Sequence, residues 1–238
     1  MFAPALVVKA VISGIDGMLS AEREANVTGD LVNFTATFSF GICLICRGIH
    51  GNINRLPGLG QMIQLHHAMH NPGVYGYTPK NDLAEFFRTR FVNSLNTANP
   101  AADVQRLFLD FYEVAFPSTP VIIQEYHSPG EHQVQDISLI LEMASNSSLL
   151  QGISFFEFQV RYDKGGSEEE FGMFALGNIP ITDFHYFGAQ FNSWCLVPVY
   201  DHESGMSMPT AVAAAFGGEG PNYAMLCVPD PRKVKLSQ

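Results

Sequence analysis

The chain reads as an α/β fold built on a parallel sheet, and three observations predict it. Segments of helical and of strand periodicity alternate, with a helix following a strand four times over. The strand segment Pro120 to Tyr126 is apolar on both faces until Gln124, as strands of parallel sheets are when helices cover both sides. At 238 residues and 47% hydrophobic side chains, the chain has enough apolar mass for a sizeable core. The alternation favours an α/β barrel or a doubly wound sheet over a sandwich.

Met1 to Leu19 carries Val7, Val11, Ile15, Met18 and Leu19 at helical spacing and is expected to be an amphipathic helix of the mature fold. Lys9 and Asp16 within it, and the lack of a basic leader, argue against a signal peptide. Asn33 to Cys43 alternates Phe34, Phe38 and Phe40 with Thr35, Thr37 and Ser39, the period of a strand. Gly48 to Gly60 is a Gly- and Pro-marked connection, Gln61 to His70 a helix, and Asn71 to Asn81 a loop. A second strand is expected over Arg90 to Leu95, and a helix over Asp103 to Phe116, ended by Pro117 and Pro120. The third strand, Pro120 to Tyr126, precedes a helix of about Gln133 to Leu150. The fourth runs from Gly152 to Tyr162, before a polar loop, Asp163 to Gly177. From Trp194 the sequence changes character, with a small-residue helix at Pro209 to Phe216; residues 191–238 are expected to wrap the body formed by residues 1–190.

The net charge of −10, from 23 acidic against 13 basic side chains, excludes a polyanion such as nucleic acid as the expected partner and suits an uncharged polymer such as a glycan. No run approaches the ~20 apolar residues of a membrane span, so the chain is expected to be soluble. Four cysteines permit two disulfides, and Asn26, Asn33 and Asn146 begin glycosylation sequons, which together favour an oxidising compartment. Asn33, opening a strand, is expected to stay unmodified.

Chemistry concentrates on the last two strands. If Val121 and Ile123 point into a barrel, Glu125 follows them at the carboxyl end, where barrel enzymes keep their catalytic groups. On the next strand Phe155, Glu157, Gln159 and Arg161 share that parity, with Phe156 and Phe158 turned towards helices. Two carboxylates in one cleft suit a retaining glycosidase, in which a carboxylate nucleophile faces a second carboxyl acting as acid and then base. The competing reading pairs Glu125 with Arg161 or makes it a helix cap.

The run Val121-Ile-Ile-Gln-Glu125-Tyr126-His127-Ser128-Pro129, a helix, then Gly152-Ile-Ser-Phe-Phe-Glu157-Phe-Gln159-Val resembles strands seven and eight of clan A glycosidases of the β-1,3-glucanase and β-1,3-glucanosyltransferase type, families 17 and 72. Glu170-Phe-Gly-Met-Phe174 is similar to the segment after strand eight. The resemblance is good over Pro120 to Gly177, looser from Ala10 to Asn99, and absent in the tail. It implies a TIM-type (β/α)8 barrel represented by strands five to eight, a β-glucan substrate and an extracellular or cell-wall location, with no cofactor. It implies Glu125 as nucleophile, with Tyr126, His127, Glu157, Gln159 and Asn93 around the glycan. His127 stands where these families have Gly. The acid/base of this clan is the Glu of an Asn-Glu pair on strand four; the chain contains no Asn-Glu pair, so an incomplete catalytic domain is expected. The rival expectation is a non-catalytic glycan-binding or interaction remnant that closes its open barrel edges by pairing in a homodimer. Cys43-x-x-Cys46 with His50, and His66, His67 and His70, carry a weaker zinc reading, set below structural cysteines and surface histidines.

Overall fold

The computed structural model describes residues 4–44, 46, 55–201 and 203–222. The chain divides into two compact units, Met1–Tyr126 with Glu142–Ser154, and His127–Leu141 with Phe155–Gln238. No helix among the described residues is long and apolar enough to cross a membrane.

The first unit holds helix α1 (Pro4–Glu24), β1 (Phe34–Ser39), α2 (Leu59–His70), α3 (Leu83–Arg90) and β2 (Phe91–Thr97). A helix in three segments follows: α4 (Ala101–Val104), a π turn (Gln105–Leu109) and α5 (Asp110–Ala115). Strand β3 (Val121–Tyr126), the end of α6 (Gln133–Asn146) and most of β4 (Leu150–Phe155) complete it. The four strands form one sheet in the order β1-β2-β3-β4, and β1, β2 and β3 pair in parallel. The α/β class follows from this sheet and its helices. Between the expected loop and β2, where the sequence suggested no element, stands α3, started by Asp82, whose carboxylate accepts a hydrogen bond from Glu85 N at 2.9 Å.

Helices α3 and α5 touch the sheet from one side. Phe34 meets Phe86 of α3 edge to face at 5.2 Å, Phe91 stacks on Phe87 of α3 at 4.8 Å, and His66 of α2 meets Phe87 at 4.8 Å. Asn93 donates to the Tyr112 hydroxyl of α5 at 2.9 Å, and Val121 lines a small cavity of about 110 Å³ with Tyr112 and Leu109. Leu95, Phe108, Val121 and Ile123 are fully buried, each such apolar side chain contributing about 1.5–3 kcal/mol over its exposed state. On the other side Thr35, Thr37, Ser39, Gln124 and Glu125 are exposed, and the Thr37 hydroxyl binds Ser94 Oγ at 3.1 Å and Gln124 Oε1 at 2.5 Å. As the sequence leads one to expect, β3 is apolar towards both sides until Gln124: Val121 and Ile123 are buried on the helix side, and Ile122, paired with Ser94, is half-buried on the other.

Helix α1 forms where expected, but its buried stripe is Val8, Ile12 and Ile15, while Val7 and Met18 are exposed. The difference traces to Asp16, which is buried and fastens α1 to the loop before α3. It accepts from Tyr77 OH at 2.8 Å, Lys80 N at 2.9 Å, Asn81 N at 2.9 Å and Asn81 Nδ2 at 2.8 Å. Burial pushes the Asp16 carboxyl up, and these donors outweigh it, holding the group below the usual carboxylate range. Asn33 is exposed and stands before β1 rather than within it, as exposed as Asn26 and Asn146. Cys43 and Cys46 are bonded to each other as a disulfide, which removes their thiols from the zinc reading; His50 lies outside the described residues.

The second unit holds the start of α6, a 3-10 turn (Gly166–Glu170), a long hairpin β5 (Phe174–Tyr186) and β6 (Ala189–Pro198), and α7 (Met208–Ala215). The hairpin is antiparallel, and β6 spans the boundary expected at residues 190 and 191. The loop expected to run to Gly177 ends at β5, and the fourth strand ends at Phe155, before Glu157. Phe174 bridges Gln159, and Val160 N donates to Phe174 O at 2.9 Å. This approach requires Gly172: at φ +111°, an added Cβ would lie 2.5 Å from Val160 N and 2.8 Å from Gln159 C.

Candidate functional site

Glu125 reaches the open side of the sheet by an irregularity in the ladder. Leu95 pairs with Ile123, but the next pair is Asn96 with Glu125, leaving Gln124 without an opposite residue. Such an insertion shifts alternation by one. Val121 and Ile123 are buried, Gln124 and Glu125 are both exposed, and Tyr126 is buried again. Glu125 thus parts from Val121 and Ile123, whose side carries the helices, and aligns with Asn96, which alternates away from the buried Leu95. The parity argument placed all three on one face; the bulge separates them while leaving Glu125 at the carboxyl end of its strand.

Three other predicted site residues lie inside. Tyr126 and Asn93 have no exposed surface, and the Asn93 amide nitrogen is engaged with Tyr112. The Tyr112 hydroxyl in turn donates to Thr119 O at 2.9 Å, and burial pushes its phenol above the ordinary range despite the Asn93 hydrogen bond. His127, in the second unit, is 1% exposed. Its ring lies 4.7 Å from Phe155 and 5.3 Å from Phe171, and Nδ1–H donates to Phe156 O at 2.9 Å, which leaves Nε2 as a buried acceptor with no hydrogen-bond partner. Burial depresses its pKa from 6.5 to about 4, against the raising effects of the Phe156 carbonyl and Asp201.

Glu157 and Gln159 come together in the second unit, along an open groove of about 510 Å³ that also exposes Phe158, Tyr162 and Leu176. Glu157 O accepts from Met173 N at 2.8 Å, and the Phe156–Glu157 peptide bond is cis. Phe158 was expected to face helices; at 58% exposed it forms part of the groove wall, because the strand it was assigned to has already ended. Arg161, the alternative partner for Glu125, is held instead by Asp163 through two contacts of 2.7 Å. That hydrogen-bonded pairing keeps the Asp163 carboxyl at about 2 and raises the guanidinium.

Chemically, the two units offer different things. Glu125 is an exposed carboxylate beside the exposed Gln124, with the exposed Thr37 hydroxyl on the same face, a setting that can hydrogen-bond a polyol. The Glu157 groove combines a carboxylate, an amide and two exposed aromatic rings, a common inventory for an uncharged, hydroxylated ligand. Thr37, Gln124 and Tyr162 were missed as candidate site residues. The Thr35-Thr37-Ser39 alternation carried a readable signal for the first of them; Gln124 and Tyr162 depend on a bulge and a strand end that local sequence does not announce. No known family model, curated protein or solved structure matches the chain.

Proposed function

We propose that the protein acts on β-glucan as a retaining glycoside hydrolase or transglycosylase, with Glu125 as the nucleophile. The observation that carries the reading is the position of Glu125: exposed, at the carboxyl end of a parallel strand, on a polar sheet face opposite the helix-contacting one. Barrel enzymes place catalytic carboxylates at that end of the strands, on the face away from the helices. A polar inner face and an outer helical layer are what half of a (β/α)8 barrel presents, and a closed barrel needs four strands beyond those of this sheet. The Cys43–Cys46 disulfide and the exposed sequon asparagines support a secretory, cell-wall location.

In the proposed reaction the Glu125 carboxylate bonds to the anomeric carbon as the glycosidic oxygen leaves with a proton from solvent, and water or a second sugar hydroxyl, losing its proton to solvent, then displaces the carboxylate from the glycosyl ester. The sequence holds no Asn-Glu pair to supply the acid/base, and lack of that group costs about 10²–10⁴-fold. A second reading therefore follows from the same observation: a glycan-binding protein that keeps the polar face without turnover.

A 2-fluoro glucoside with a dinitrophenolate leaving group distinguishes the two, because that leaving group departs without acid assistance. The expected result is a covalent adduct mapped to Glu125 by peptide mass spectrometry and absent in Glu125→Gln. Binding of a soluble β-1,3-glucan without an adduct would establish the binding reading. Absence of both would overturn the glycan assignment.

A further inference from the structure

The outer part of the β5–β6 hairpin is an amphipathic ribbon. From Ile179 to Asn192 every residue is exposed, and the two strands are joined by a two-residue turn at Phe187 and Gly188. The pairs Phe184 with Phe191 and Tyr186 with Ala189 occupy one face, whereas Asp183 with Asn192 and His185 with Gln190 occupy the other. Asp183 accepts from Gln190 Nε2 at 2.9 Å, so the polar face is internally satisfied. The aromatic face lies open: Phe184 is 49%, Tyr186 63%, Phe187 92% and Phe191 46% exposed. Phe187 also holds φ 47°, a left-handed value that β-turns usually give to Asn or Gly. A two-stranded hairpin is marginally stable alone in water, so this ribbon gains most from a partner that covers its rings.

We propose that the partner is a second copy of the chain, with two ribbons packing aromatic face to aromatic face about a twofold axis. At ~200 Å² per aromatic side chain, the four exposures amount to about 500 Å² per ribbon. Two ribbons then bury about 1,000 Å², the lower end of what a specific, weak interface requires. Ring geometry selects against a sugar in this place: Phe184 and Phe191 stack on each other at 5.6 Å and 24°, so the face offers ring edges rather than a flat platform. Edges of this kind interlock with other aromatic rings. Charge is compatible, since Asp183 is the ribbon's one acidic residue, while the net charge of −10 opposes docking on an anionic membrane.

Sedimentation velocity of the full chain across about two decades of concentration around the micromolar range tests the proposal. The expected result is a concentration-dependent dimer that Phe184→Ser with Phe187→Asp weakens about tenfold or more, and that His185→Ser with Gln190→Ser, on the polar face, leaves unchanged. As a test independent of the double variant's folding, Ala189→Cys should form an intermolecular disulfide within the dimer. A chain that stays monomeric throughout, a dimer indifferent to the aromatic substitutions, or a monomer that binds uncharged phosphatidylcholine vesicles through Phe187 would overturn it.

Discussion

Acidification should destabilise the second unit through His127, by an amount set by its surroundings. The folded protein holds this ring neutral down to about pH 4 because it is buried between Phe155 and Phe171 with Nε2 lacking a donor, whereas in the unfolded chain it titrates at 6.5. The unfolded state therefore binds the proton first, and stability falls as pH drops from about 6.5 towards 4, with no further loss from this group below that. At ~1.4 kcal/mol for each factor of ten, the loss reaches about 3 kcal/mol by pH 4. Trp194, the single tryptophan, lies in β6 of the same unit, so its fluorescence in urea titrations reports the right transition. His127→Gln keeps an N–H that can reach Phe156 O and removes the titration. It should lose about 3 kcal/mol less than the parent between pH 7 and pH 4, even though carboxylates elsewhere weaken both proteins. Equal losses, or an imidazole resonance of His127 titrating near pH 6.5, would refute the reasoning.

Tyr112→Phe should cost about 1–3 kcal/mol in urea unfolding, because it strands the buried Asn93 amide and the Thr119 carbonyl without filling a cavity. Asp16→Asn should cost a similar ~1–3 kcal/mol and increase amide exchange of Lys80 and Asn81, whose N–H groups donate to the carboxylate. The carboxyl is depressed in the fold, so the parent's advantage over Asp16→Asn is present above the ordinary aspartate range and fades as pH falls below it. Glu125→Gln should change stability by less than ~0.5 kcal/mol, since the side chain is exposed on the sheet, so its loss of covalent labelling would report chemistry rather than unfolding.

The parts of the fold that local periodicity encodes were readable from sequence. Strand β1, with its Phe and Thr alternation, helix α2 and strand β3 fall within a few residues of expectation. Helix α3 was lost although Asp82 and Glu85 supply a capping pair, because its eight residues are half aromatic and basic and show no wide apolar stripe. The β5–β6 hairpin was lost for a different reason. Its distal half buries neither face, so the alternation of Phe184 and Tyr186 with Asp183 and His185 has no core to point at. At the candidate site, Glu125 is exposed at the carboxyl end of β3, while Glu157 and Gln159 are half-buried and lie beyond the end of β4 rather than on it. Residue identity could not distinguish these from the buried Asn93, Tyr126 and His127, because a side chain turned inward, as Asn93 is towards Tyr112 and His127 towards Phe156, has the same local sequence as one that faces a ligand.

The bulge at Gln124 joins the fold to the proposed chemistry. Parallel sheets are ordinarily covered on both faces; here α3 and α5 contact one side, and the other carries hydroxyls, an amide and a carboxylate beside the half-buried Val92 and Ile122. Regular alternation would have carried Glu125 to the side of Val121 and Ile123, under α5, where an ionised carboxylate costs several kcal/mol unless paired. One inserted residue avoids that cost and turns the carboxylate to the polar face, while Tyr126 resumes the buried register. The inserted residue thus sets both the register of β3 and the exposure of the carboxylate on which the catalytic proposal rests.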